Sequence, residues 1–362
     1  MEIERNGMKP EVQPHLPLRQ HLQPNCPEGP PMLNRRALLR YAGSALVLSA
    51  ASGLPARAEM RKVKVQLPWL PNASFAGEIV ALRKGFFAEK GLDVELLPGG
   101  PSANPSQDLV GGTVDIAIGY APEIMYGSSR GLPLRSFAAA FQKAPLTYYS
   151  LGEANIKSVA DWKGKRVGGA PSGIPQVKAL LRHAGLTFED ITYVQAQVPA
   201  LMQDQVDLIG TWPTNVAQNQ PILTHPGGYN TQSIWDNGLQ FQSNYYIART
   251  DTLDNDQAML VAFLEACDMG WAWAADHPDE AINEVVAYAP ALEADKELAS
   301  LKVTVDYIYT DETRENGFGY LSADRWQQTL DTYIAIGELP AGMTSDQVMD
   351  GRILAASART KR

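Results

Sequence analysis

The chain has 362 residues, 45% hydrophobic and 20% charged, an ordinary globular composition whose length suggests two lobes. Its formal charge of −9 disfavours nucleic acid and anionic membrane as partners. With two cysteines, of which Cys26 falls in an N-terminal region of different character, Cys267 is left without an intrachain disulfide partner.

Residues 1–34 are rich in Pro, Gln and His, lack an apolar period and read as disordered. Asn34, Arg35, Arg36 and Ala37 then lead into an apolar run over 41–54, followed by Ala56-Arg57-Ala58. Basic segment, short apolar core and small-x-small site, in that order, form an export signal. The adjacent arginines have the twin-arginine pattern. The run is shorter than the roughly 20 residues a membrane span needs. The expected mature chain is therefore soluble, exported and begins near Glu59. Of the charged residues, 7 of 31 basic and 4 of 40 acidic lie in 1–58, leaving 24 against 36, a formal −12.

From there strand and helix patterns alternate, the mark of a parallel-sheet α/β protein. Residues 63–67 read as a first strand and 78–90 as a helix, with Ile79, Leu82 and Phe86 or Phe87 on its apolar face. Between them lie Trp69, Asn72 and Phe75, in a loop at the end of a parallel strand, the place where open α/β sheets bind ligands. A core role for Trp69 is the alternative. A strand over 92–97 is followed by a turn in which Asn104 can cap a helix with Pro105 at its first position. Residues 114–118 form a third strand that ends at Tyr120, and 136–141 and 146–150 are extended.

A second unit begins near Val167. Its strand runs into Ser172, Gly173 and a helix over 176–184, with further strands at 191–194, 206–210 and 230–234. Trp212 and Asn215 follow the 206–210 strand. Residues 245–248 are extended and return the chain to the first lobe. In the helical remainder, Leu260, Phe263, Cys267 and Trp271 share one face and read as core. Pro278 starts a helix, Pro290 ends it, and 352–362 reads as a frayed tail.

Several segments together resemble the periplasmic solute-binding proteins of ABC importers. They are Trp69-Leu70-Pro71-Asn72 with Gly77, the run from Gly85 to Glu95, Val114-Asp115-Ile116-Ala117-Ile118-Gly119, and Ser158-Val159-Ala160-Asp161-Trp162-Lys163-Gly164-Lys165. The resemblance extends more weakly through Ala262–Ala266, Trp271 and Pro278–Ala281. Within that superfamily the chain is similar to the branch that holds binders of the thiamine pyrimidine precursor and the yeast-type pyrimidine synthase, alongside the sulfonate, nitrate and taurine binders. The resemblance implies an α/β, type II periplasmic binding protein fold of two lobes, each a mainly parallel sheet flanked by helices. The implied segments are 59–148 (first lobe), 149–245 (second lobe), 246–340 (return to the first) and 341–362 (tail).

It also implies a role: a monomer that captures a small planar heterocycle without catalysis or cofactor and delivers it to an inner-membrane permease with a cytoplasmic ATPase. Binding of another solute (sulfonate, nitrate, taurine or flavin), presentation of ligand to a sensor, and a synthase-like activity are the alternatives. Two positions depart from the pyrimidine pattern. Phe75 stands where the family carries a His that takes part in the synthase's chemistry, and Asn215 where pyrimidine binders place a Glu. A carboxamide both donates and accepts, whereas a carboxylate only accepts.

Other chemistry is weakly signalled. Gly127-Ser128-Ser129-Arg130-Gly131 matches a nucleophile elbow by letters, but it follows a helical stretch rather than a strand. His183, His225 and His277 lack metal-ligand spacing. The expected ligand-binding residues are Trp69, Asn72, Phe75, Tyr120, Ser172, Trp212, Asn215 and Tyr245. Aromatic walls with a few fixed polar groups suit a flat, largely neutral ligand. Ser172 and Gly173 add donors at a helix N-terminus, with ordinary capping as the competing role for Ser172.

Overall fold

Alternating apolar residues place Val63 and Val65 of β1 (Arg61–Gln66) and Leu92, Val94 and Leu96 of β2 (Leu92–Leu97) in the core. The computed structural model describes residues 59–100 and 103–362, so the expected leader over 1–58 lies outside the described residues. The remaining strands are β3 (Ile116–Gly119), β4 (Leu134–Phe141), β5 (Thr147–Leu151), β6 (Arg166–Gly169), β7 (Thr192–Gln195), β8 (Leu208–Thr211), β9 (Tyr229–Ser233) and β10 (Ser243–Arg249).

They form two five-stranded sheets, ordered β2-β1-β3-β10-β4 and β7-β6-β8-β5-β9. In each sheet three strands run parallel, and the fourth in order is antiparallel to both its neighbours. That fourth strand, β10 or β5, is the one that has just crossed from the other lobe. The fold is α/β with two mixed sheets flanked by helices, as expected. The chain crosses between lobes over 142–146 and 234–242, so the expected boundaries after 148 and 245 fall inside β5 and β10.

The crossings are pinned by two buried glutamines. Gln242 Nε2 donates to Gln142 Oε1 and to the Tyr320 carbonyl, both at 2.8 Å, and Gln142 Nε2 donates to the Ala139 carbonyl at 2.8 Å. Buried amides cost free energy unless paired, so this network holds the strands where they pass.

Three expectations are refined. The helix over 78–90 is two helices, Ala76–Arg83 and Phe86–Glu89, parted by Gly85 at φ +84°, a conformation glycine takes without strain. The third strand begins at Ile116 rather than 114. The tail is docked rather than frayed. Thr360 N–H donates to Asp268 at 2.6 Å, Ala358 N–H donates to Glu265 at 2.8 Å, and Phe318 N–H donates to the Thr360 carbonyl at 3.0 Å. Carboxylates on the long helix Gln257–Asp276 thus hold a segment that carries little apolar signal of its own.

That helix packs against Ala76–Arg83 at a backbone-to-backbone crossing. A Cβ on Gly270 would lie 2.0 Å from the Gly77 carbonyl oxygen, and one on Gly77 would lie 2.2 Å from the Trp271 ring. Leu260, Phe263, Cys267 and Trp271 are all fully buried on its inner face, as the periodicity indicates. The crossing fixes the helix that follows the Trp69 loop, and through it the mouth of the cleft.

Candidate functional site

The loops after β1, β3, β6 and β8 leave the carboxyl ends of their strands and converge on one cavity of about 430 Å³ between the lobes. Seven of the eight expected residues line it: Trp69, Asn72, Phe75, Tyr120, Ser172, Trp212 and Asn215. Tyr245 does not. It is 1% exposed in the centre of the first sheet, and its ring packs on Trp326 at 4.5 Å between centroids. Period 2 along β10 cannot say which of two covered faces a residue takes, and Tyr245 is core.

From the first lobe, Trp69 stands at the rim, 44% exposed, so it is not the sheet cap that its size alone allows. Its backbone is backed by Gly99, whose N–H donates to the Trp69 carbonyl at 3.0 Å and where a Cβ would lie 2.6 Å from the Trp69 nitrogen. Asn72 spends its Oδ1 on the Ser74 N–H (2.8 Å), capping the turn Ala73–Phe75, which leaves its NH₂ as the group available to a ligand. Phe75 is buried in the wall. Tyr120 precedes the helix Ala121–Ser129 and meets Trp212 of the second lobe edge-on, centroids 5.4 Å apart.

From the second lobe, Trp212 is held by Asn219, a residue the sequence reading passes over. Asn219 is fully buried, accepts from the Thr211 hydroxyl (3.0 Å) and donates to the Trp212 carbonyl (2.7 Å). Asn215 sits at the N-cap of the helix Val216–Leu223 but makes no side-chain cap, so its carboxamide is uncommitted. Ser172 likewise caps neither the turn Pro171–Gly173 nor the helix Ile174–His183. The donors expected there are largely spent: Gly173 N–H bonds the Ala170 carbonyl, Ile174 N–H bonds the Pro171 carbonyl, and Pro175 has none. That helix end is a weaker anion site than the sequence implies.

Other lining residues become visible only in three dimensions. Tyr148 and Tyr193 approach because Gly210 and Gly169 have no side chain; a Cβ on either would lie 2.7 Å from the facing tyrosine. Tyr193 O–H donates to the Ala170 carbonyl at 2.7 Å. With its amide turned to satisfy both ends, Gln176 donates to the Ser172 and Gly173 carbonyls and accepts from Tyr333 O–H, each at 3.2 Å. The Tyr333 bond spans the lobes. So do the ion pair of Lys178 with Glu338 (2.6 Å), where Glu338 also accepts from Tyr126 O–H (3.2 Å), and the bond from Val216 N–H to Ser300 Oγ (3.3 Å).

The ionisable side chains of the lining are a carboxyl, Glu123, and phenols. Among the described residues no Lys, Arg, His or Cys lines the cavity. Burial raises Glu123 to about 7 against a smaller pull from the Ser106 hydroxyl, and burial followed by the Glu123 charge pushes Tyr120 well up. Trp69, Asn72, Asn215 and Gln218 also border a polar recess of about 180 Å³ that reaches Glu297 and Ser300. Glu297 accepts from Ala73 N–H at 2.8 Å, and burial raises its pKa.

Residues 72–281 match the family described as NMT1/THI5 like. The chain belongs to that family. One relative within reach of the NMT1/THI5-like chain is the formylaminopyrimidine-binding protein of Halalkalibacterium halodurans, 27% identical over 286 residues, which covers 75% of this chain and 84% of that one. Another is a 4-amino-5-hydroxymethyl-2-methylpyrimidine phosphate synthase of Saccharomyces cerevisiae, 25% identical over 252 residues, covering 65% and 73%. Among solved structures, the periplasmic aliphatic sulphonate binding protein SsuA of Escherichia coli superposes with a TM-score of 0.64 over 81% of this chain and 92% of its own, at 17% identity. The last likeness establishes the periplasmic binding protein fold.

Proposed function

We propose that this chain is the solute-binding component of an ABC importer and captures a small planar heterocycle, the thiamine pyrimidine precursor or a related ring, without converting it. The carrying observation is the interlobe cavity, walled by Trp69, Phe75, Tyr120, Tyr148, Tyr193 and Trp212 and bordered by uncommitted carboxamides. Flat aromatic walls suit a flat ligand, and amide groups read its edge. The formylaminopyrimidine-binding relative supports the same ligand class.

The lining speaks against the anionic alternatives. A sulfonate or nitrate brings a full negative charge, and the one carboxyl of the lining repels it while no described cation offsets it. For the synthase alternative, the position expected to carry a reactive His is Phe75, which is buried as part of the wall. An exported, soluble protein with the leader over 1–58, working beside a membrane permease and its ATPase, goes with this reading.

The test is to purify the protein from its native compartment and identify the small molecules it releases by mass spectrometry. Calorimetry against pyrimidines, flavins and sulfonates follows. A planar heterocycle bound with micromolar or better affinity and recovered unchanged is the expected result. Binding of an aliphatic sulfonate alone, or release of a chemically altered ring, overturns it.

A further inference from the structure

Glu123 is the group in the cavity wall that the protein itself leaves incomplete. It lies in the first turn of the helix Ala121–Ser129, in the lobe opposite Asn215. Its Oε2 is shut off from solvent and makes no hydrogen bond, although the Ser106 hydroxyl, itself unpartnered, exerts a small downward pull on its pKa. The fold makes deliberate room for it: a Cβ on Gly119 would lie 2.8 Å from that oxygen. The charge of Glu123 in turn bears on the phenol of Tyr120.

A half-buried carboxyl with one oxygen sealed from water, no cation and few donors is costly to the free protein. The positive end of its own helix relieves this only in part. Glu123 nonetheless lines the cavity, where its carboxyl can accept from an N–H brought in by a ligand, and a charge-assisted bond in a dry site is among the stronger polar contacts. Tyr120 and Trp212, in edge-on contact with centroids 5.4 Å apart, line the same cavity as this carboxyl.

We infer that Glu123 is the specificity-determining acceptor of the cavity, taking a hydrogen bond from an N–H donor edge of the ligand and selecting amino-substituted rings over counterparts that carry no N–H on that edge. This rests on the heterocycle reading above and names which edge of the ring is read. The lobe that carries Asn215 supplies carboxamides, which accept and donate alike; Glu123 supplies the one-sided discrimination.

The test uses the full mature chain and a matched pair of probes, 4-aminopyrimidine and 4-methylpyrimidine, by calorimetry at pH 7.5. Wild type should prefer the amino ring by tenfold or more. Glu123→Gln, nearly isosteric, should weaken the amino ring by about ten- to a hundredfold and leave the methyl ring within about threefold, the scale expected for a hydrogen bond to a charged group. Near-UV circular dichroism checks that the variant keeps its packing. Equal affinity of wild type for the two probes overturns the inference whatever the variant does, and so does a variant that loses both probes in equal measure, since that marks a merely structural role. If neither ring binds wild type and an aliphatic sulfonate does, the heterocycle reading itself falls and Glu123 loses its assigned part with it.

Discussion

Glu78 offers a test of the scaffold that needs no ligand. It sits on the helix Ala76–Arg83, directly behind the ligand loop, fully buried. Tyr246 O–H donates to one of its oxygens, and the other has no partner. Burial, opposed by the Tyr246 bond, raises its pKa from 4.5 to about 7. Below pH 4.5 the folded and unfolded chains both hold this proton, and the group has no pH-dependent effect. Between 4.5 and about 7 the unfolded chain releases the proton while the folded one keeps it, so stability falls as pH rises. Above about 7 both are ionised and the loss has reached its full size. At 1.36 kcal/mol per pH unit that gap amounts to about 3 kcal/mol. Glu78→Gln keeps an acceptor for Tyr246 and removes the titration. Relative to wild type it should therefore gain about 3 kcal/mol between pH 4.5 and 8, roughly 5–10 °C in Tm for a domain of this size. Any constant cost of the buried amide cancels, because only the pH dependence of the difference is read. Thermal unfolding of both proteins across that range is the assay. A difference that does not change with pH would refute a buried, neutral Glu78.

Trp69→Ala and Trp212→Ala should each weaken heterocycle binding by about ten- to a hundredfold, the scale of one ring stack, whereas Tyr245→Phe should change affinity less than about twofold because Tyr245 does not reach the cavity; calorimetry reads all three. Lys178→Ala, which removes the partly exposed 2.6 Å pair with Glu338 across the lobes, should speed ligand dissociation by roughly two- to fivefold, an effect that shrinks in high salt, measured by stopped-flow fluorescence. Gly77→Ala drives a methyl into the Trp271 ring and should abolish soluble folded protein or lower Tm by more than about 10 °C, the outcome expected of severe overpacking at a helix crossing.

What the sequence could reveal follows physical range. β1, β2 and the long helix were legible because apolar spacing along one segment reports burial directly, and Val63, Val65, Leu260 and Trp271 are all in the core. Asn104 and Pro105 were legible because a cap is a local contact: Asn104 Oδ1 accepts from Gln107 N–H at 3.2 Å. Seven of the cavity residues were reachable because loops at strand ends are marked by aromatics and turn residues. Glu123, Asn219 and the pair Tyr148 and Tyr193 were not. A glutamate in a first helical turn reads as a dipole complement exposed to solvent, and only the packing of Gly119 beneath it shows otherwise. Tyr245 failed for the converse reason, since a strand covered on both faces carries no pattern that separates cleft from core. The docked tail was lost because its anchors, Glu265 and Asp268, lie some ninety residues away in sequence.

The likeness to a solved structure at 17% identity is a likeness of fold, and a fold by itself does not dictate a ligand. Both sheets deliver loops to the cleft by the same topology, with one antiparallel strand returning from the other lobe. That arrangement aims helix N-termini at the cavity, and left alone they favour anions. In this chain two local features work against that default. Glu123 places a carboxyl in the first turn of one such helix. At another, the turn Pro171–Gly173 and Pro175 consume or remove the first donors. With the positive ends offset and aromatic side chains on both walls, the cavity suits the neutral or hydrogen-donating ring proposed above. On the proposed reading, selectivity lies in how each helix start is satisfied before any ligand arrives, and substitutions at the helix starts Ala121 and Ile174 should shift the ligand class, which calorimetry against sulfonates and pyrimidines would read.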